Sequence, residues 1–111
     1  MAKKDWTLID YYHKDDGVEP WFELWQRTQG DKACYIVCYG NWREMCQLQF
    51  AKFNRRLYSW ERVTSSGEDW FDPDNYEDPP EFKTCAWAEK AALKWLNGEK
   101  FDINELPGLI R

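Results

Sequence analysis

The segment from residue 20 to residue 40 constrains the fold more than any other part of the chain. Residues 21–28 alternate between two faces and are rich in aromatic side chains, which is typical of a half-buried β-strand. Residues 33–39 are apolar on both faces, so they predict a strand in the middle of a covered sheet. Gly30 lies between them and has access to the positive φ that a tight turn requires. The segment is therefore predicted to be a central β-hairpin.

A further strand is predicted before this hairpin and a helix after it. Residues 5–13 alternate weakly, and the polar segment 14–20 is too short for a parallel crossover, so the first three strands should form an antiparallel meander. Residues 80–97 are predicted to be helical, with Asp78 as N-cap, Pro79 at the first helical position, Glu81 at the third and Gly98 after the end. The predicted apolar stripe of this helix consists of Cys85, Ala88, Ala91, Ala92, Trp95 and Leu96.

Residues 41–53 fit two interpretations. A helix capped by Asn41 would place Trp42, Met45 and Phe50 on one stripe. A strand would explain the alternation around Leu48. We prefer the strand, because a short turn over residues 54–56 would then join it to a strand at residues 57–64 as a second hairpin.

These elements predict an α+β protein. A chain of 111 residues is expected to form a single domain, here residues 1–111. Its architecture should be an antiparallel sheet of four to five strands with one C-terminal helix packed on one face. Eight Trp, six Tyr and six Phe supply enough apolar surface for a core.

The four cysteines and the N-terminal sequence favour a cytoplasmic protein. No apolar run resembling a signal peptide follows the N-terminal lysines, and no segment is long enough to span a membrane. We therefore expect reduced thiols at Cys34, Cys38, Cys46 and Cys85. On one strand, Cys34 and Cys38 would lie roughly 13 Å apart, so a shared metal is not expected. No metal site and no cofactor is predicted.

Charge is distributed unevenly along the chain. The whole chain has a formal net charge of −5, whereas residues 66–81 contain seven acidic and no basic residues, which leaves the remainder at +2. Residues 65–80 are predicted to be a long acidic loop, and loops of this length are usually functional or disordered. Three aromatic residues within it indicate that the loop is partly fixed to the body of the protein.

The leading functional hypothesis is a small acidic protein–protein interaction module whose loop docks on a basic partner surface. Size, acidity and aromatic content resemble, in type only, the small proteins that phages and mobile elements make to block host machinery. The partner would be a host protein whose basic surface normally binds nucleic acid. The predicted partner-binding residues are Glu68, Asp69, Trp70, Phe71, Asp72, Asp74, Tyr76, Glu77 and Asp78.

Two alternatives follow from other features. Basic and aromatic residues interleave over 52–62, as in single-stranded nucleic-acid-binding domains, although the negative net charge opposes this interpretation. The residues of this alternative are Lys52, Arg55, Arg56, Tyr58, Trp60 and Arg62. The third hypothesis is a small enzyme or ligand-binding domain without a recognisable motif. Because the chain has no phosphate-binding loop or nucleophile motif, we do not expect an enzyme.

Overall fold

Five strands form an antiparallel sheet in sequence order, and a short sixth strand extends it. The computed structural model describes residues 5–12, 22–39, 45–65, 69–100 and 102–110. The strands are β1 (Thr7–Tyr12), β2 (Phe22–Gln29), β3 (Lys32–Tyr39), β4 (Cys46–Asn54), β5 (Ser59–Arg62) and β6 (Glu81–Phe82), and the helix is α1 (Cys85–Leu96). The sheet order is β1-β2-β3-β4-β5, with β6 paired to β4. The predicted α+β class is confirmed.

The central hairpin is confirmed in detail. β2 and β3 pair without a register shift from Phe22↔Tyr39 to Gln29↔Lys32, and Gly30 in the turn has a φ of 62°. β3 occupies the middle of the sheet, as its two apolar faces predict. On one face Cys34, Ile36 and Cys38 are fully buried under the helix, whereas Tyr35 and Val37 on the other face are half-buried.

The strand interpretation of the ambiguous segment is confirmed from Cys46 onward. β4 pairs with β3 and turns alternate side chains, Cys46, Leu48 and Phe50, into the core. The helical stripe is therefore wrong for residues 46–53. Residues 41–44 lie outside the described part, as do His13 and the predicted loop at residues 14–20. The second hairpin exists, but β5 begins at Ser59, because Arg55 to Tyr58 form the turn.

The predicted start of the helix is wrong. Glu81 and Phe82 form β6 and pair with Gln47 and Cys46 of β4, and Leu48 N donates to Pro80 O at 3.0 Å. Consecutive prolines favour extended backbone before them, which suits this pairing and not a helix. The helix begins at Cys85, and its N-cap is Thr84, whose Oγ1 accepts from Trp87 N.

The remaining features of the helix are as predicted. All six residues of its apolar stripe are buried, and Gly98 follows the C-cap with a φ of 77°. Three alanines on this stripe bring the helix close to β3 and β4, and Trp95 packs on Phe50 with ring centroids 4.9 Å apart. Two polar side chains from the central hairpin, Gln29 and Lys32, donate to carbonyl oxygens at the helix C-terminus.

The first and last described segments, residues 5–12 and 102–110, are joined to this framework. β1 is an edge strand with a β-bulge between Leu8 and Asp10, and Trp6 Nε1 donates to Glu89 Oε2 of the helix at 2.7 Å. On the other side of β6, Lys83 N donates to Gly108 O and Ile110 N to Glu81 O, both at 2.8 Å. The C-terminal segment therefore extends the sheet beyond β6.

Replacing Trp95 with alanine is expected to lower the free energy of unfolding by about 3–5 kcal/mol, because the ring fills the core between helix and sheet. Denaturant titration measures the change. Lys94→Ala, at an exposed position of the same turn, is the control and should alter it by no more than about 0.5 kcal/mol. An unchanged midpoint for Trp95→Ala would contradict this packing.

The corrected helix start is tested by two alanine variants. Thr84→Ala should cost about 1 kcal/mol of unfolding free energy, since it removes the oxygen that accepts from Trp87 N. Asp78→Ala should stay within about 0.5 kcal/mol, because this residue is exposed and lies before β6. A larger loss of unfolding free energy for Asp78→Ala than for Thr84→Ala would indicate that Asp78 is the N-cap after all.

Candidate functional site

The described part of the acidic loop, residues 69–80, runs beside β5. Thr64 N donates to Asp69 O at 2.8 Å, and Phe71 N donates to Arg62 O at 2.9 Å. Between these bonds Val63 and Trp70 form an antiparallel bridge. The loop therefore starts as a short extension of the sheet, which fixes its backbone.

Arg62 holds the middle of the loop against β5. Its guanidinium carbon lies 4.1 Å from the ring centroid of Phe71 and 5.8 Å from that of Tyr76. The two rings meet edge to face, with centroids 5.8 Å apart. Nη2 of Arg62 donates to Glu77 O at 3.0 Å. A single cation thus joins both loop rings and the loop backbone through cation–π and hydrogen-bonding contacts.

Two carboxylates of the loop also support its conformation. Glu77 accepts from Ser65 N at 2.6 Å and from Ser65 Oγ at 3.4 Å. Asp72 Oδ1 accepts from Asp74 N at 2.9 Å and caps the 3-10 turn Pro73–Asn75. The prediction that the loop is partly fixed to the body is confirmed for these residues.

The surface left for a partner is smaller than the predicted set. Trp70 and Tyr76 expose 51% and 65% of their area. Four carboxylates are also exposed, those of Asp69, Asp72, Asp74 and Asp78. Phe71 and Glu77 are half-buried and engaged in the loop, and Glu68 lies outside the described residues. The arrangement presents two aromatic groups surrounded by negative charge.

The residues of the basic stretch lie in four different environments. Arg62 belongs to the loop contacts, and Arg55 pairs with Asp31 at 3.1 Å. Lys52 and Trp60 are half-buried, and the Trp60 ring packs against Phe53 with centroids 5.3 Å apart. Only the tip of the β4–β5 hairpin projects its side chains fully.

At this tip, Arg56 is exposed and Tyr58 exposes 83% of its area. Tyr58 has a φ of 53°, which is unusual for a bulky residue. The side chain of Asn54 supports the turn, because its Oδ1 accepts hydrogen bonds from Arg56 N and Leu57 N. The tip therefore presents an arginine and an aromatic ring on a defined turn.

Two features were not identified from the sequence. The first is a groove of about 380 Å³ on the sheet face opposite the helix. Its lining side chains come from four strands and include Leu24, Tyr35, Val37, Ala51, Trp60 and Arg62. Strand alternation places these residues on one face, but their convergence depends on the curvature of the sheet.

The second is a cluster of three thiols in the core, formed by Cys38, Cys46 and Cys85. No spacing in the sequence indicated it, since the three residues come from different elements. Among the described residues, no group of His, Cys, Asp or Glu side chains is arranged to hold a metal ion. Within the same part of the chain, no helix has the length and apolar character needed to cross a membrane.

Comparison of the chain with protein-family models, with curated proteins and with solved structures finds no match.

Replacing Arg62 with methionine is expected to release the loop while keeping the apolar length of the side chain. The amides of Ser65 and Phe71 should exchange hydrogen faster, and the free energy of unfolding should fall by about 1–3 kcal/mol, the range for a lost charged hydrogen bond. Arg56→Met is the matched control at an exposed position. Equal exchange rates in both variants would mean that Arg62 does not hold the loop.

Proposed function

We propose that this protein is a protein–protein interaction module that binds a basic partner surface through the loop at residues 69–78. One observation carries the proposal: Trp70 and Tyr76 are exposed among four exposed carboxylates on a loop that internal contacts hold in place. Trp and Tyr are enriched among the residues that dominate interface energetics, and here one of each lies on the same loop.

The fixed backbone supports this function because it reduces the cost of binding. A mobile loop would lose conformational entropy on docking, and that loss would be subtracted from the binding free energy. The contacts of Arg62 and Glu77 order the loop before any partner is present. The aromatic groups can then supply affinity while the carboxylates speed association with a positively charged surface.

The chemistry of the loop also indicates the kind of partner. Carboxylates can occupy the positions of phosphates on a surface rich in Lys and Arg. A nucleic-acid-binding protein presents such a surface, and occupying it would block its normal ligand. We therefore propose an inhibitor of a host nucleic-acid-binding protein, of the type that phages and mobile elements encode, acting in the cytoplasm.

A second candidate function is single-strand nucleic acid binding at the tip of the β4–β5 hairpin. The exposure of Arg56 beside Tyr58 favours it, because cations bind phosphates and exposed rings stack on bases. Against it, Arg55 and Arg62 already have acidic or loop partners within this chain.

Two loop variants test the proposal. The first variant replaces Asp69, Asp72, Asp74 and Asp78 with Asn, which removes four charges and leaves Glu77 unchanged. Asn caps a helical turn as well as Asp does, so the side chain at position 72 should still accept the hydrogen bond from Asp74 N. The association rate constant of this four-Asn variant with a partner recovered by affinity purification should be lower than that of the parent protein. It should also depend much less on salt concentration. Trp70→Ala should weaken binding about 30-fold, corresponding to about 2 kcal/mol.

The matched control is Arg55→Gln with Arg56→Gln, which changes the β4–β5 turn and the Arg55–Asp31 pair but leaves the loop contacts of Arg62 in place. It should leave partner binding unchanged, and titration of a labelled single-stranded oligonucleotide at two salt concentrations should show no binding to the parent protein. Salt-dependent oligonucleotide binding that the control variant abolishes would support the second candidate. If the loop variants bind the partner like the parent, the loop is not the interface.

A further inference from the structure

Three of the four cysteines meet beneath the first turn of α1. Cys38 and Cys46 are register partners on β3 and β4, and Cys85 is the first residue of the helix. All three side chains are fully buried. The Sγ atoms of Cys38 and Cys85 are 2.9 Å apart and share a hydrogen bond. Cys46 lies directly opposite Cys38 in the strand pairing and completes the cluster.

This geometry favours a bond between sulfur atoms over shared coordination of a metal. Thiolates bound to one tetrahedral zinc, at about 2.3 Å each, must stay further apart than Cys38 and Cys85 are. Within the described ranges, no residue group is arranged to hold a metal. In a disulfide the sulfur atoms are about 2.05 Å apart, so a small movement of the two side chains would form one.

The three thiols of the cluster affect one another's ionisation, and Cys46 is the one whose pKa is lowered. Hydrogen bonds from Cys38 and Cys85 lower the pKa of the Cys46 thiol, although burial acts in the opposite direction. Hydrogen bonding within the cluster raises the pKa of the Cys38 and Cys85 thiols. A thiolate is the reactive form of cysteine toward peroxides and disulfides. Cys34 differs, because burial raises its pKa and its Sγ donates to Ala92 O at 3.8 Å.

We propose that Cys38, Cys46 and Cys85 form a redox modification site, at which a hydroperoxide converts the cluster to an intramolecular Cys38–Cys85 disulfide. The bond would tie the first turn of the helix to the central strand of the sheet. This proposal does not depend on the function of the acidic loop.

The reaction balances with hydrogen peroxide as the oxidant. The Cys46 thiolate attacks one peroxide oxygen, the O–O bond breaks, and the departing hydroxide takes the proton of Cys85 to form water. Cys38 then displaces the second water from the Cys46 sulfenic acid, which gives a Cys38–Cys46 disulfide. Finally, the Cys85 thiolate attacks Cys38 Sγ and releases the Cys46 thiolate. Two thiols are oxidised and one peroxide is reduced to two waters.

The test uses the folded, fully reduced chain and hydrogen peroxide. Thiols counted under denaturing, non-reducing conditions should fall from four to two, and the intact mass should fall by two hydrogen atoms. Peptide mapping should recover a fragment that links Cys38 to Cys85, and dithiothreitol should restore four thiols. Four unreacted thiols in the folded protein, or oxidation to sulfinic acids without a cross-link, would overturn the proposal.

Two variants test whether the cluster reacts with peroxide or has only a structural role in the core. Cys34→Ser should keep the oxidation rate of the parent, because Cys34 lies outside the cluster. Cys46→Ser should slow thiol loss by more than about tenfold, since an ordinary thiol is only a few per cent ionised at neutral pH. Cys46→Ala serves if the serine variant fails to fold, with circular dichroism as the check. Equal rates in the Cys34 and Cys46 variants would exclude Cys46 as the nucleophile.

Discussion

The packing of α1 on β3 and β4 is the contact on which the rest of the structure depends. Its small residues let the helix approach the two central strands, and Trp95 fills the remaining space beside Phe50. The edge strands β1 and β5 are attached to this unit by antiparallel backbone pairing, and the buried Trp6 adds a hydrogen bond to Glu89 of the helix. Burial of this face stabilises the sheet, and the opposite face stays free to form a groove.

Arg62 connects the two surfaces that the sequence indicated separately. In sequence it belongs to the basic stretch, and in the structure it is the residue that orders the acidic loop. A buried or half-buried cation needs a partner, and here aromatic faces and a backbone carbonyl provide it. The loop is therefore ordered at the expense of the basic surface, and for this reason we propose partner binding ahead of nucleic-acid binding.

Residue patterns within single elements predicted most of the fold, but they could not predict which distant segments would contact one another. Alternation identified β2 and β3, and the apolar stripe identified α1, because each pattern reports which face of one element is buried. The Asp78-Pro79 motif was misleading, since pairing of β6 with β4 overrode a plausible cap. Of the three loop aromatics predicted as anchors, Trp70 and Tyr76 are exposed and Phe71 is half-buried against Arg62. The thiol cluster was not predicted, because strand register and helix placement together determine which cysteines meet.

The β-bulge in β1 has a consequence for association between molecules. An edge strand exposes unpaired backbone groups, and a regular one can add a strand from another chain. The shift between Leu8 and Asp10 interrupts that regularity next to Ile9, which is itself half exposed. A bulged strand twists and offers a poor template, so the apolar side chains of this edge are less prone to nucleate aggregation.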